Sequence, residues 1–202
     1  MSFFLFNFAN ETIKIHRIFR MKKLVLLSLL IATVVIGRAQ TTQDLLPVGT
    51  LAPDFTITNS DNGKKTLSLS DLRTKKVADG KVERGVWTVL DFWASWCPDC
   101  RRDMPMVKQI QEKYGKRIKV IGVSFDTDKE KMTKYLEAND YTWMQYSEFK
   151  KWKETKISKE YHISWIPTSY LIDPDGKVAF ATIKTEEMMQ QLDSLDAAGK
   201  LK

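Results

Sequence analysis

The stretch Val86-Trp87-Thr88-Val89-Leu90-Asp91-Phe92-Trp93 is rich in β-branched and aromatic residues without strict alternation, and four residues beyond it begins Cys97-Pro98-Asp99-Cys100. A strand that is apolar on both faces belongs in the interior of a sheet covered on both sides. From Cys100 onward the period becomes helical. Met104, Val107, Ile110 and Tyr114 share one face, Lys108, Glu112 and Lys113 fall off it, and Gly115 marks a stop. Pro105 is expected to kink this helix one turn in. A buried strand running into an amphipathic helix constrains the chain toward an α/β fold, with both cysteines at the strand-to-helix junction.

These are the only two cysteines in the chain. A bond between them closes so short a loop that it removes little chain entropy, so reactivity explains the pair better than stabilisation does. A cysteine attacks disulfides as its thiolate, and a free thiol with a pKa of about 8.5 is mostly protonated at neutral pH. At the start of the helix, free backbone amides can point at the Cys97 sulfur, and Pro98 occupies a first helical position where its missing N–H costs nothing. Cys100, one turn on, is placed to attack a mixed disulfide formed by Cys97. A zinc site would need two further ligands, normally Cys or His, and outside the N-terminal export region only His162 is left. No metal and no cofactor is therefore expected.

Elsewhere the pattern alternates strand with helix. Asp54 to Thr58 and Lys65 to Leu69 read as a hairpin around Asn59-Ser60-Asp61-Asn62-Gly63, and Ser70 to Gly85 as a charged, solvated connection. Ile118 to Phe125 is a second apolar strand. Asp126-Thr127-Asp128 supplies capping chemistry for a helix through Met132, Tyr135 and Leu136. Trp143 to Tyr146 reads as a short strand and Phe149 to Tyr161 as one or two short helices. Ser169 to Asp173 and Lys177 to Thr182 flank the turn Pro174-Asp175-Gly176. A last helix is expected to be capped by Thr185, with Glu186 and Glu187 in its first turn and Met188, Leu192 and Leu195 on one face.

The ends set the compartment. Met21-Lys22-Lys23 precedes an apolar run from Leu24 to Gly37, shorter than the roughly 18 to 20 residues a spanning helix needs, and Gly37-Arg38-Ala39 offers small residues before a cleavage at Gln40. Residues 21–39 thus read as a signal peptide and 1–20 as an over-extended start, the whole of 1–39 being an export segment. Left uncleaved, the same run would anchor the protein to the inner membrane. Residues 40–50 read as a tether, 51–197 as the domain and 198–202 as a tail. Residues 1–39 hold six of the 32 Lys+Arg and one of the 25 Asp+Glu, which leaves 26 against 24 in the exported part. The basic balance of the chain therefore describes its export segment and gives no support to nucleic-acid binding.

The run Asp91-Phe92-Trp93-Ala94-Ser95-Trp96-Cys97-Pro98-Asp99-Cys100, with Pro105 and the downstream Trp165-Ile166-Pro167-Thr168, resembles the thioredoxin superfamily. The Ala52-Pro53-Asp54-Phe55 opening and Leu171-Ile172-Asp173 before Pro174-Asp175-Gly176 are similar to its extracytoplasmic TlpA/ResA-type (redoxin) branch, over about Leu51 to Leu195. The resemblance implies a thioredoxin-like α/β fold: a central mixed β-sheet flanked by helices on both faces, with an N-terminal β-hairpin extension. It implies Cys97 as nucleophile, Cys100 as resolving thiol, and Asp91 as the buried acid that exchanges protons with the resolving cysteine. Many TlpA/ResA-type proteins carry Asn at the position of Asp91 and place an acid elsewhere. Pro167 is implied as a cis-proline that presents backbone groups to substrate beside the disulfide. Trp96, Pro98 and Ile166 are expected to complete an apolar landing surface. The peroxidase motif of the peroxiredoxins would need Pro and Thr where this chain has Leu90 and Ala94.

The direction of electron flow depends on how far the reduced thiolate is stabilised. Asp99 beside Cys97 disfavours the thiolate, while Arg101 and Arg102 favour it if their charges approach the sulfur. With Asp91 added, the expectation is a reductant of the periplasm or another extracytoplasmic space. It would act as a monomer on exported proteins with disulfides or thiols, for example in cytochrome c maturation, and would be recharged by a membrane electron donor. A thiol oxidase or isomerase, and a non-catalytic binding module on the same fold, are the alternatives.

Overall fold

The computed structural model describes residues 44–58, 66–77 and 81–201. Residues 1–39, read above as an export segment, the start of the segment read as a tether, and residues 59–65 between the strands of the N-terminal hairpin lie outside the described residues.

The domain is built on a five-stranded sheet in the order β7-β6-β5-β8-β9. Its strands are β5 (Thr88–Trp93), β6 (Lys119–Ser124), β7 (Met144–Ser147), β8 (Thr168–Ile172) and β9 (Val178–Thr182). β5, β6 and β7 run parallel, and β8 and β9 are antiparallel to their neighbours. All six residues of β5 are buried, as its unbroken apolar run requires of a central strand. Between these strands lie α1 (Pro98–Tyr114), α2 (Lys129–Ala138) and α3 (Lys156–Glu160), and α4 (Thr185–Ala197) closes the domain. Among the described residues no helix is long and apolar enough to cross a membrane.

The two faces of the sheet are covered differently. α1, α2 and α4 share one face: Arg101 of α1 lies 5.5 Å over the Tyr135 ring of α2, and Asp103 of α1 accepts a hydrogen bond from Thr185 of α4. On the other face an aromatic cluster forms around Phe92, which meets Tyr161 and Tyr170, and Phe125 stacks on Trp152. Phe55 joins this cluster through Tyr146 and Tyr161, so the antiparallel hairpin β1 (Thr56–Thr58) and β2 (Thr66–Ser68) is docked rather than free. The fold is thioredoxin-like, with the mixed sheet, the helices and the N-terminal hairpin in their expected places.

Several local expectations change. The connection 70–85 contains a 3-10 turn (Leu69–Leu72) and a short hairpin of β3 (Lys75–Lys76) with β4 (Val82–Glu83). It is held to the sheet by Thr74 N–H on the Pro174 carbonyl at 2.7 Å and by the Arg73 guanidinium on the Ala52 carbonyl at 2.8 Å. Thr185 is the first helical residue of α4 rather than its cap, and Lys184 holds the cap position. The described end of the 40–50 segment is pinned rather than loose: Leu46 is buried and its N–H donates to the Tyr170 hydroxyl. Of the tail, Leu201 is buried and the Lys200 carbonyl accepts from Trp87 Nε1.

Candidate functional site

Two loops meet at the end of the sheet where β5 stops. The first is the turn after β5, in which the Ala94 carbonyl accepts from Cys97 N–H at 3.1 Å. Asp126, buried at the end of β6, fixes that turn. Its carboxylate accepts from Ser95 N–H at 2.9 Å, from the Ser95 hydroxyl at 2.6 Å and from the Ser124 hydroxyl at 2.7 Å. Sequence reasoning saw Asp126 as helix-capping chemistry; Asp128 does the capping of α2, and Asp126 holds the segment that leads into the cysteines.

Cys97 is the N-cap of α1 and Pro98 its first residue, as the missing proline N–H allows. Cys97 and Cys100 are joined as a disulfide with 5.3 Å between their Cα atoms. The Cys97 sulfur accepts from Cys100 N–H at 3.2 Å, so a free amide of the first turn points at the atom that must carry negative charge after reduction. Both sulfurs are shielded, with Cys97 6% and Cys100 1% exposed.

The second loop precedes β8. The Ile166–Pro167 peptide is cis, and the Ile166 carbonyl oxygen lies 3.8 Å from the Cys97 sulfur. Ile166 itself is buried, and the group it places beside the sulfur is its backbone carbonyl. The exposed neighbour is Trp165, 50% exposed, and Trp96 ahead of Cys97 is 56% exposed. Trp165 was visible in the sequence only as part of a motif; exposure of a tryptophan is a tertiary fact that no local pattern encodes.

Two acids, one on β5 and one on α1, interact through their charges. Asp91, in the middle of β5, is buried and accepts from the Ser169 hydroxyl on β8 at 3.0 Å. Burial raises its pKa from 3.8 to about 7; the Ser169 bond pulls the other way and the negative charge of Asp103 adds to the rise. Asp103, three residues after Cys100 on α1, is the acid the sequence reading missed. Burial raises its pKa too, opposed by the Thr185 hydroxyl, which donates to it at 3.1 Å; Glu186 adds to the rise, Arg102 opposes it and Asp99 adds again. The signal for it was present in the spacing, since residues three apart share a helix face, but no partner for it could be named without the position of α4.

The first-turn charges are also resolved. Arg102 is paired with Asp99, and Arg101 is stacked over Tyr135. Each arginine has a partner of its own, and the charge of Asp99 is offset by its neighbour. His162 is exposed, and its Nδ1 lies 3.1 Å from the Asp44 carbonyl. Among the described residues no three His, Cys, Asp or Glu side chains converge as a metal site.

Comparison with known proteins agrees with this geometry. A family model described as thioredoxin-like matches residues 85–178. The chain is similar to the thioredoxin-like protein YneN of Bacillus subtilis, at 32% identity over 152 residues that cover 72% of this chain and 78% of that one. It is similar also to the thiol-disulfide oxidoreductase ResA of Bacillus cereus, at 30% identity over 75% of this chain and 78% of the relative. Among solved structures, a thiol-disulfide oxidoreductase from Bacteroides fragilis superposes with a TM-score of 0.59 at 27% identity, covering 72% of this chain and 99% of the other.

Proposed function

We propose that this protein, which belongs to the thioredoxin-like family and is a thiol-disulfide oxidoreductase, works outside the cytoplasm as a reductant of disulfides in exported polypeptides. The observation that carries the direction is the set of partners around the first turn of α1. With Arg102 on Asp99 and Arg101 on Tyr135, the support for a Cys97 thiolate is the Cys100 amide and the helix N-terminus. That support makes the thiolate reactive without making the dithiol so stable that it would refuse to give up electrons.

In this reading the Cys97 thiolate attacks one sulfur of a partner's disulfide, forming a mixed disulfide and releasing the other sulfur as a thiolate. Cys100 then loses its proton to the Asp91 carboxylate and attacks the Cys97 sulfur. This step closes the Cys97–Cys100 disulfide and expels the partner's second thiolate. An acid with a pKa of about 7 is matched to taking and returning a proton at neutral pH. Pro98, Pro167 and the Ile166 carbonyl hold the substrate's backbone near the sulfur, and Trp96 covers it. The export segment read in residues 1–39 supports the location, and a membrane thiol donor would return the two electrons. Cytochrome c precursors are one class of exported polypeptide such a reductant would serve.

The test is stoichiometric reduction of a protein disulfide, such as that of insulin, by the pre-reduced protein with no other thiol present. Release of two substrate thiols per protein, abolished by Cys97→Ser, is the expected result. A pre-reduced protein that leaves insulin intact overturns the reading.

A further inference from the structure

Among the described residues, three aromatic side chains are exposed: Trp96 at 56%, Trp165 at 50% and Phe149 at 36%. All three lie at one edge of the sheet. Phe92 is in register with Thr168 and Val123, and Val123 with Tyr146, so these residues form a row across β8, β5, β6 and β7. Trp165 precedes that row by three residues on the β8 side, Trp96 follows it by four on β5, and Phe149 follows it by three on β7. The exposed aliphatics Val48, Leu51, Val77 and Val82 belong to segments bonded to Val178, Lys177 and Pro174, at the other end of β8 and β9.

Phe149 is not simply left over on a loose loop. Its φ is 51°, a left-handed conformation that is costly for a bulky side chain and is kept only where the surroundings impose it. The surroundings do so. Phe149 N–H donates to the Ser147 hydroxyl at 3.1 Å, and that hydroxyl donates to the Asp126 carbonyl at 3.3 Å. Glu148 accepts from the N–H groups of Lys156 and Ile157, which fixes the other side of the loop. Asp126 is also the residue whose carboxylate holds Ser95 ahead of Trp96 and Cys97. One hydrogen-bonded chain therefore sets both the exposed phenyl ring and the redox turn.

We infer that Trp165, Trp96 and Phe149 form one docking rim for an extended, apolar segment of the disulfide-bearing polypeptide, with Phe149 as a specificity-determining residue. The inference rests on the proposed reductase activity and names the kind of polypeptide it takes. Neighbouring strands are about 4.8 Å apart, so the rim from β8 to β7 measures about 14 Å, the length of about four extended residues. From β5 to β7 it is about 10 Å, which sets Phe149 against a side chain about three residues from the substrate cysteine. Two exposed indoles beside the sulfur and a phenyl ring beyond it favour apolar side chains there over charged ones.

The test compares two single-cysteine peptides, each presented to the pre-reduced protein as its disulfide with glutathione. One carries leucine three residues to either side of the cysteine, the other serine. In single turnover with peptide in excess, wild-type protein is expected to reduce the leucine peptide with a second-order rate constant at least about fivefold higher, expressed in the half-saturating peptide concentration. Phe149→Asn removes the ring while tolerating the left-handed backbone, and it is expected to bring that preference below about twofold. Phe149→Leu is expected to restore it. A wild type with no preference, an Asn variant that keeps the preference, or equal loss on both peptides overturns the inference. So does a dimer in solution that buries the rim. Failure of the wild type to reduce either peptide would instead overturn the reductase reading on which the inference stands.

Discussion

Replacing Asp91 by Asn separates what this carboxyl does for the chemistry from what it costs the fold. Its pKa is 3.8 in an ordinary setting and about 7 in the folded protein, the rise coming first from burial. Between those values the native state keeps a proton that the unfolded chain has lost, so stability falls as pH rises and the full penalty is reached above about pH 7. At 1.36 kcal/mol per pKa unit, the interval corresponds to about 4 kcal/mol, of which about 3 develops between pH 5 and pH 8.5. That is a large share of the stability of a domain this size. Asn keeps an oxygen for the Ser169 hydroxyl and cannot ionise. Urea unfolding of the oxidised wild type and of Asp91→Asn at about pH 5 and pH 8.5 isolates the effect, because disulfide-bonded cysteines do not titrate and other groups cancel in the difference. The variant should gain about 3 kcal/mol on the wild type between the two conditions, and should reduce disulfides more slowly. A stability difference that is the same at both pH values would refute the assignment of a buried, proton-retaining carboxyl.

Four further outcomes follow from the site. Asp103→Asn removes a negative charge that helps to raise the Asp91 pKa, so the limb of the activity profile that reports Asp91 should move to lower pH in steady-state assays. Thr185→Val removes the hydroxyl that opposes the rise at Asp103, and carboxyl titration by NMR should show Asp103 shifted further upward. Cys100→Ser should accumulate a mixed disulfide with substrate, visible as an adduct by mass spectrometry and absent in the Cys97→Ser variant. Leu201→Ala should cost about 2 kcal/mol in denaturant melts, a magnitude that an unattached tail would not show.

Much of this was legible in the sequence because the relevant signals are local. The apolar run of β5, the 3.6-residue spacing of Met104, Val107, Ile110 and Tyr114, and proline after Cys97 each fix a conformation within a few residues, and the structure follows them. The turn 174–176 and the acids at the start of α4 are of the same kind. What was missed depends on contacts far apart in the chain. The partnership of Asp103 with Thr185 spans 82 residues, and that of Asp126 with Ser95 spans 31. The exposure of Trp165 beside a buried Ile166 is set by tertiary packing, which no local pattern encodes. Residues 40–50 and 198–202 read as a tether and a tail, whereas Leu46 and Leu201 are buried by contacts that only the assembled sheet and helices provide.

The direction of electron flow is the claim on which the proposed role stands, and its direct test is the reduction potential of the Cys97–Cys100 couple. Equilibration of the protein with glutathione buffers, followed by acid quenching and alkylation of free thiols, gives the value. The partners found for Arg101, Arg102 and Asp99 predict a potential below about −200 mV, on the thioredoxin side of the scale. A potential near about −120 mV, that of a strong oxidant whose dithiol is the stable form, would contradict it.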